Sequence, residues 1–195
     1  MRKFKGVVVA ALALVTFVTA GCGFKYKTLR ETVYAPQVLQ SAQQLYIKPL
    51  DFSRVQKTSD YSKQEDWVQD IAKWQSMFAT EVNKRATEAG LGARVRTLQP
   101  GQPLPTTGVI VQCTITKIIR NYSVMGGGFD HLVTDIRFLN AADNKVLYFA
   151  IVESTSKAFG FHHYSIVTRL GMASWNMVTA LVSIMKNGRN TPPEG

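Results

Sequence analysis

The chain has 195 residues, 46 % of them hydrophobic, which is enough apolar material for the core of one domain and hardly of two. Its formal net charge is +10, and removing an amino-terminal segment with Arg2, Lys3 and Lys5 leaves 20 basic residues against 13 acidic ones, a charge of +7. A basic exported domain favours anionic partners of the cell envelope, such as lipid head groups or acidic proteins, and export argues against nucleic acid.

Residues 1–21 are predicted to be a lipoprotein signal peptide. A positively charged start precedes a mostly apolar run that is shorter than the roughly 20 residues of a permanent membrane helix. A retained membrane anchor is the alternative. The run ends in Thr19-Ala20-Gly21-Cys22, which resembles the lipobox of bacterial lipoproteins, where small residues precede the cysteine that is acylated.

We therefore predict that Cys22 carries an acyl and diacylglyceryl lipid, which anchors the protein to a membrane, and we predict no other cofactor. In enteric bacteria an Asp after this cysteine resembles a signal for retention in the inner membrane. The residue at this position is Gly23. The sequence thus predicts a lipid-anchored envelope protein, held on the outer membrane and facing the periplasm.

The mature chain is predicted to begin with a flexible tether over 22–43, which shows no clear period, and to continue as a single domain over 44–188. A short strand is expected at 44–52, where Pro49 removes a ladder donor. An amphipathic helix should follow from Ser62 to about residue 89, ending at Gly90 as its left-handed cap. Its apolar residues, which indicate core packing in preference to a ligand wall, are Trp67, Ile71, Trp74, Phe78 and Val82.

Four further strands follow this helix. Strands are predicted at 93–98 and 108–120, and two more at 132–139 and 146–156 are joined by turn-forming residues as an antiparallel hairpin. The apolar face of the 108–120 strand consists of Val109, Val111, Cys113, Ile115 and Ile119.

A last helix is predicted at 164–186, followed by a disordered tail at 189–195. The inner stripe of this helix consists of Ile166, Leu170, Ala173, Met177, Leu181 and Ile184. The order of elements predicts an α+β fold, with a mostly antiparallel sheet of four to five strands and two amphipathic helices packed on one face.

Two segments are candidate surfaces for a partner, because apolar residues around a flexible loop often contact another molecule. One is the glycine-rich loop between two strands, and the other joins the last strand to the last helix. For the first, a mobile hairpin connection is the plainer interpretation, and for the second it is cover for the core. The candidate contact residues are Tyr122, Met125, Gly126, Gly127, Gly128, Phe129, Phe159 and Phe161.

We identify no catalytic residues and no metal site in the sequence. His162 and His163 are adjacent, so their rings diverge on a strand or a helix, and His131 is the only other histidine. With Cys22 acylated, Cys113 has no disulfide partner and is predicted to be a small buried hydrophobe. No nucleophilic or paired-carboxylate motif is present, and the protein is predicted not to be an enzyme.

The strand leading into Pro49-Leu50-Asp51-Phe52, the glycine-rich loop and the hairpin at 133–147 together resemble a group of uncharacterised bacterial lipoproteins. The group carries Gly more often than Asn at the position of Asn144. The resemblance covers roughly 44–156 and implies a fold similar to the TolB amino-terminal domain and to the curli-secretion and penicillin-binding-protein-activator lipoproteins. It implies an adaptor that binds other envelope proteins.

The function predicted from these features is a non-catalytic accessory or adaptor subunit of an envelope assembly for secretion, transport or cell-wall construction. The alternative is a carrier or sensor of a lipid or another hydrophobic ligand, held between the long central helix and the sheet. A hydrolase of wall polymer would need two carboxylates in one cleft, and no motif places them there.

Overall fold

The computed structural model describes residues 26–55, 64–121, 129–157 and 166–190. These residues form an α+β domain, as predicted, with six strands and three helices where the sequence suggested four to five and two. The strands are β1 (Tyr26–Val33), β2 (Leu45–Ile47), β3 (Val95–Thr97), β4 (Val109–Asn121), β5 (Phe129–Asn140) and β6 (Val146–Lys157). The helices are α1 (Pro36–Ser41), α2 (Gln64–Glu88) and α3 (Ile166–Asn187).

All six strands belong to one sheet, in the order β1-β6-β5-β4-β2-β3. β4, β5 and β6 form an antiparallel meander that includes the predicted hairpin, and β1 adds to it antiparallel to β6. The short strand β2 runs parallel to both β3 and β4. The sheet is therefore mostly antiparallel, and its two edges are β1 and β3.

The prediction of a flexible tether over 22–43 is wrong for residues 26–41, which form β1 and α1. The strand escapes detection because a bulge between Thr28 and Arg30 breaks its alternation, and because most of its side chains are exposed at the sheet edge. The predicted disordered tail is likewise wrong at Asn190, which is buried and hydrogen-bonded to three residues of β1. Residues 22–25 and 191–195 lie outside the described part.

The two long helices form where the apolar period predicts them. On α2 the side chains of Trp74, Phe78 and Val82 are buried, and the helix ends at Gly90 in the left-handed region with φ 76°. Its predicted first cap, Ser62, lies outside the described residues. On α3 the predicted inner residues Ala173, Met177, Leu181 and Ile184 are fully buried.

The meander follows the predicted alternation over most of its length. Val109, Val111, Cys113 and Ile115 of β4 are buried, but a bulge between Ile115 and Lys117 then shifts the register by one residue. Consequently Ile118, and not the predicted Ile119, packs against the core. The predicted hairpin between β5 and β6 is present, and Asn144 supports its turn with φ 57°, a conformation that Asn tolerates better than most residues.

One hydrophobic cluster joins all three helices to one face of the sheet. In it, α2 and α3 contact each other, while α3 lies against β5 and β6. No helix of the described ranges has the length and apolar character needed to cross a membrane. Since the buried apolar residues of the helices all belong to this cluster, the opposite face of the sheet carries no helix of the described ranges.

Candidate functional site

One face of the sheet carries no helix in the described residues, and we call it the open face. Side chains on a strand alternate between the two faces, so the register of β1, β6, β5 and β4 determines its members. They are Lys27, Arg30 and Thr32 of β1, Phe149, Ile151 and Glu153 of β6, His131, Val133, Asp135 and Arg137 of β5, and Gln112 and Thr114 of β4.

At the centre of the open face two arginines flank one aromatic ring. The guanidinium carbon of Arg30 lies 5.8 Å from the ring centroid of Phe149, and that of Arg137 lies 5.5 Å from it. Contacts of this kind contribute about 0.5–1 kcal/mol each at exposed sites. The ring therefore holds two cationic groups in place, and one comes from β1 while the other comes from β5.

A single carboxylate balances part of this charge. Oδ2 of Asp135, whose side chain is only 12 % exposed, lies 3.3 Å from a nitrogen of Arg54 and 3.8 Å from a nitrogen of Arg137. Within the described ranges, Arg30 makes no ion pair with an acidic group. Two arginines thus lie at this carboxylate while Arg30 has none, and the local charge is positive.

The other acidic groups of the open face are already engaged. A carboxylate oxygen of Glu153 lies 2.8 Å from Nδ1 of His131, which is hydrogen-bond distance, and both side chains are about one quarter exposed. Asp51, which follows β2 and forms a bridge to Thr114 of β4, accepts hydrogen bonds from the backbone of Ser53 and the hydroxyl of Thr114. Burial alone would raise the pKa of Asp51, but these hydrogen bonds and the charge of Lys48 outweigh it and lower the pKa.

The candidate contact residues from the sequence lie mostly beyond the described part. Tyr122, Met125, Gly126–Gly128, Phe159 and Phe161 are outside it, as is Cys22, and Phe129 is described only as the first position of β5. Their attachment points are nevertheless adjacent, because Asn121, Phe129 and Lys157 are register partners at one end of the sheet. These residues therefore remain predictions, and the described strand ends nearest to them in the chain are neighbours in the sheet.

Sequence reasoning missed the open face. Charged and polar residues alternate with buried apolar ones along much of β4 and β5, which is also the pattern of an ordinary solvated surface. The signal that distinguishes it is Phe149, a large aromatic on the outward side of β6, next in the sheet to an outward arginine on either neighbouring strand. That arrangement depends on strand pairing and is invisible in any one segment.

The space between α2 and the sheet, where the sequence suggested a hydrophobic ligand, is filled in the described part by side chains. Trp74 stacks on Phe52 with centroids 5.3 Å apart, and Phe78 and Val82 are buried beneath the helix. A groove of about 470 Å³ remains at the margin of α2 and is partly polar, with lining residues that include Lys48, Gln75, Asn83 and Gln99. Gln75 closes its floor by accepting a hydrogen bond from the backbone of Leu50 at 2.7 Å and donating one back.

The described residues include few side chains that could bind a metal ion or act as a nucleophile. No cluster of three or more His, Cys, Asp or Glu side chains suited to a metal ion occurs there. Cys113 is a free thiol and fully buried, as predicted, and burial raises its pKa to about 12. The thiol is therefore protonated and unreactive at neutral pH.

These observations define an α+β domain with its helices on one face of a sheet and a basic, arginine-rich surface on the other. The sequence matches no protein-family model and no curated protein. Solved structures that match include the PelC dodecamer from Paraburkholderia phytofirmans, with 8 % identity and a TM-score of 0.45 over 86 % of this chain and 100 % of that chain.

Two further matches are protein XCC0632 from Xanthomonas campestris and lipoprotein GNA1162 from Neisseria meningitidis. The first has 13 % identity and a TM-score of 0.48 over 80 % of this chain and 94 % of that chain. The second has 12 % identity and a TM-score of 0.39 over 70 % and 97 %. At these TM-scores the similarity assigns neither a family nor a function to this chain.

Proposed function

We propose that this protein is a lipoprotein of the cell envelope, acylated on Cys22 and held on the outer membrane facing the periplasm. In this proposal it acts as a non-catalytic adaptor subunit of an envelope assembly. The open face binds an acidic surface on a partner protein. The single observation that carries the proposal is the pair Arg30 and Arg137 held against Phe149, on a sheet face that no helix of the described part covers.

The chemistry of this surface suits a protein partner with carboxylates. Arginine presents several donors in a planar fork that matches a carboxylate with two hydrogen bonds, and it is enriched at the centres of protein interfaces. Phe149 and Ile151 are partly buried and offer apolar area beside the two guanidinium groups. A guanidinium already ordered against a ring loses less entropy when a partner binds, which favours affinity.

A photo-crosslinking residue at Thr32 on the open face would test the proposal in cells. We expect a crosslink to one acidic envelope protein that Arg30→Glu weakens at least tenfold, which corresponds to about 1.4 kcal/mol of binding free energy. Arg30 is the best position for the charge reversal, because it makes no ion pair with the described residues whose loss would disturb folding. Arg137→Gln serves as a second variant that removes charge without placing a new carboxylate beside Asp135.

The matched control is Lys84→Glu on the exposed side of α2, which changes the net charge equally but lies on a helix of the other face. Loss of the crosslink in Arg30→Glu and not in Lys84→Glu supports the adaptor. An equal loss in both variants, or a crosslink that survives Arg30→Glu, refutes the open face as the binding surface. Lipid that co-purifies in fixed ratio, with no protein crosslinked, favours the carrier function.

A further inference from the structure

The distance between the predicted lipid site and the folded domain is short. Only three residues separate Cys22 from Tyr26, the first residue of β1. An extended chain advances about 3.3–3.6 Å per residue, so the four steps from Cys22 to Tyr26 span at most about 14 Å. An acylated Cys22 therefore holds the start of β1 within about 14 Å of the bilayer.

Other strands extend past Tyr26 in the same direction. Tyr26 pairs with Ser154 in the antiparallel ladder, so β6 continues three residues beyond this pair to Lys157. At about 3.4 Å per residue this extension is about 10 Å, close to the full reach of the chain before Tyr26. Lys157 is in register with Phe129, and Phe129 with Asn121, so β4, β5 and β6 all reach this level.

We call this end of the sheet the near end. It consists of the first two residues of β1, the last five residues of β4 and of β6 and the first five residues of β5. The far end carries the hairpin at 141–145. The twelve residues of β5 separate the two ends by about 37 Å at about 3.4 Å per residue. The short chain before Tyr26 thus allows the near end to meet the membrane and keeps the far end away from it.

The near end also has the charge that suits a membrane surface. Lys27 of β1 and Lys117 of β4 are exposed. Arg120 and Lys157 occupy strand positions closer to the end of the sheet. The acidic positions there are Asp130 and Glu153, and Glu153 is paired with His131. A Lys or Arg side chain close to an anionic lipid surface is attracted to it electrostatically.

From the spacing and the charge together we infer that the near end is a membrane-contact surface that lies against anionic lipid head groups of the bilayer holding Cys22. The sheet then stands with its strands directed away from the bilayer, and the open face is presented sideways, next to the membrane. This inference rests on the proposed acylation of Cys22 and is independent of the proposed protein partner.

The test uses the acylated full-length protein in vesicles of phosphatidylethanolamine with phosphatidylglycerol that contain a head-group-attached fluorescence quencher. A thiol-reactive fluorophore is placed in Lys27→Cys at the near end or in Ala142→Cys at the far end. Labelling is selective because Cys113 is buried and the sulfur of Cys22 is in a thioether. We expect quenching of the Lys27→Cys label to exceed that of the Ala142→Cys label several-fold.

A second arm tests the charge with a fluorophore at an unaltered near-end position, Thr155→Cys. Lys27→Glu with Lys117→Glu is compared with Lys84→Glu with Lys186→Glu, a control pair on α2 and α3 with the same change in net charge. We expect the first pair to lower the quenching to the value in vesicles without phosphatidylglycerol, and the control pair to leave it unchanged.

The outcomes separate this inference from the proposed function. Equal quenching at both ends, stronger quenching at Ala142→Cys, or equal effects of the two charge pairs overturns the contact surface while leaving the acylated protein intact. A mass spectrum that shows no lipid on Cys22 refutes the lipoprotein proposal and, with it, the inferred membrane contact.

Discussion

The most informative single substitution in the core is Thr134→Val. Thr134 lies on the core face of β5, where its side chain is fully buried and packs among apolar neighbours. Its hydroxyl oxygen has no hydrogen-bond partner in the described part of the chain. Burying a hydroxyl without a partner removes its hydrogen bonds with water and replaces them with nothing, so this oxygen destabilises the folded state.

The size of the effect follows from the geometry. Valine has nearly the shape of threonine, so the substitution leaves no cavity and removes only the hydroxyl. Since an unsatisfied buried polar group costs about 1–3 kcal/mol, we expect the unfolding free energy to rise by about 1 kcal/mol or more. For a domain of this size that gain raises Tm by about 2–4 °C.

The assay is chemical and thermal unfolding of the protein and the variant, followed by circular dichroism. An increase in the denaturant midpoint without a change in slope shows that stability itself has changed. The control is Thr116→Val, because the hydroxyl of Thr116 donates to the backbone oxygen of Val133 at 3.1 Å. The Thr116→Val substitution is expected to lower the unfolding free energy by about 1 kcal/mol. If Thr134→Val loses stability by the same amount, its hydroxyl has a partner and the reasoning is refuted.

Three other predictions concern a thiol, a tail and a carboxylate. Cys113 should resist maleimide at neutral pH and react only on unfolding, and rapid labelling of the native protein would contradict its burial. Asn190→Ala should lower the unfolding free energy by about 1–3 kcal/mol, because the Asn190 side chain forms hydrogen bonds with Tyr26 and Thr28. Hydrogen exchange of the backbone amides of β1 should become faster, and unchanged exchange would show that Asn190 does not hold β1. The pKa of Asp51 is lower in the folded protein than in the unfolded chain, so its ionised carboxylate stabilises the fold. This stabilisation is complete above the unfolded-state pKa of about 3.9 and is lost as the pH falls through the folded-state pKa. The stability advantage of the protein over Asp51→Asn should therefore shrink below about pH 4 in unfolding curves, and a constant difference would contradict the shift.

The elements that were predicted correctly from the sequence are those determined by residues within one segment of the chain. The stripe on α2, the alternation on β4 and the turn at Asn144 each depend on residues within one segment, because a helix or strand face repeats every few positions. The α+β class followed from these elements and agrees with the structure. The bulge after Ile115 was missed, since one inserted residue shifts the face without changing the composition.

The elements that were missed depend on distant partners. β1 has little alternation of its own and is ordered by β6 and by the end of α3. The hydroxyl of Tyr148, for example, donates to Glu31 at 2.8 Å across 117 residues of chain. The parallel pairing of β2 with β4 is likewise a tertiary choice, because short apolar runs do not specify a neighbour.

The same division applies to function. The sequence alone predicts the anchor, because a charged start, an apolar run and the residues before Cys22 are read in order along the chain. Only the tertiary structure brings Arg30, Phe149 and Arg137 together on one sheet face, and only the register places Tyr26 toward the same end of the sheet as the last residues of β4 and β6. A surface is a property of strands that are far apart in the chain, and strand pairing depends on the packing of the whole core.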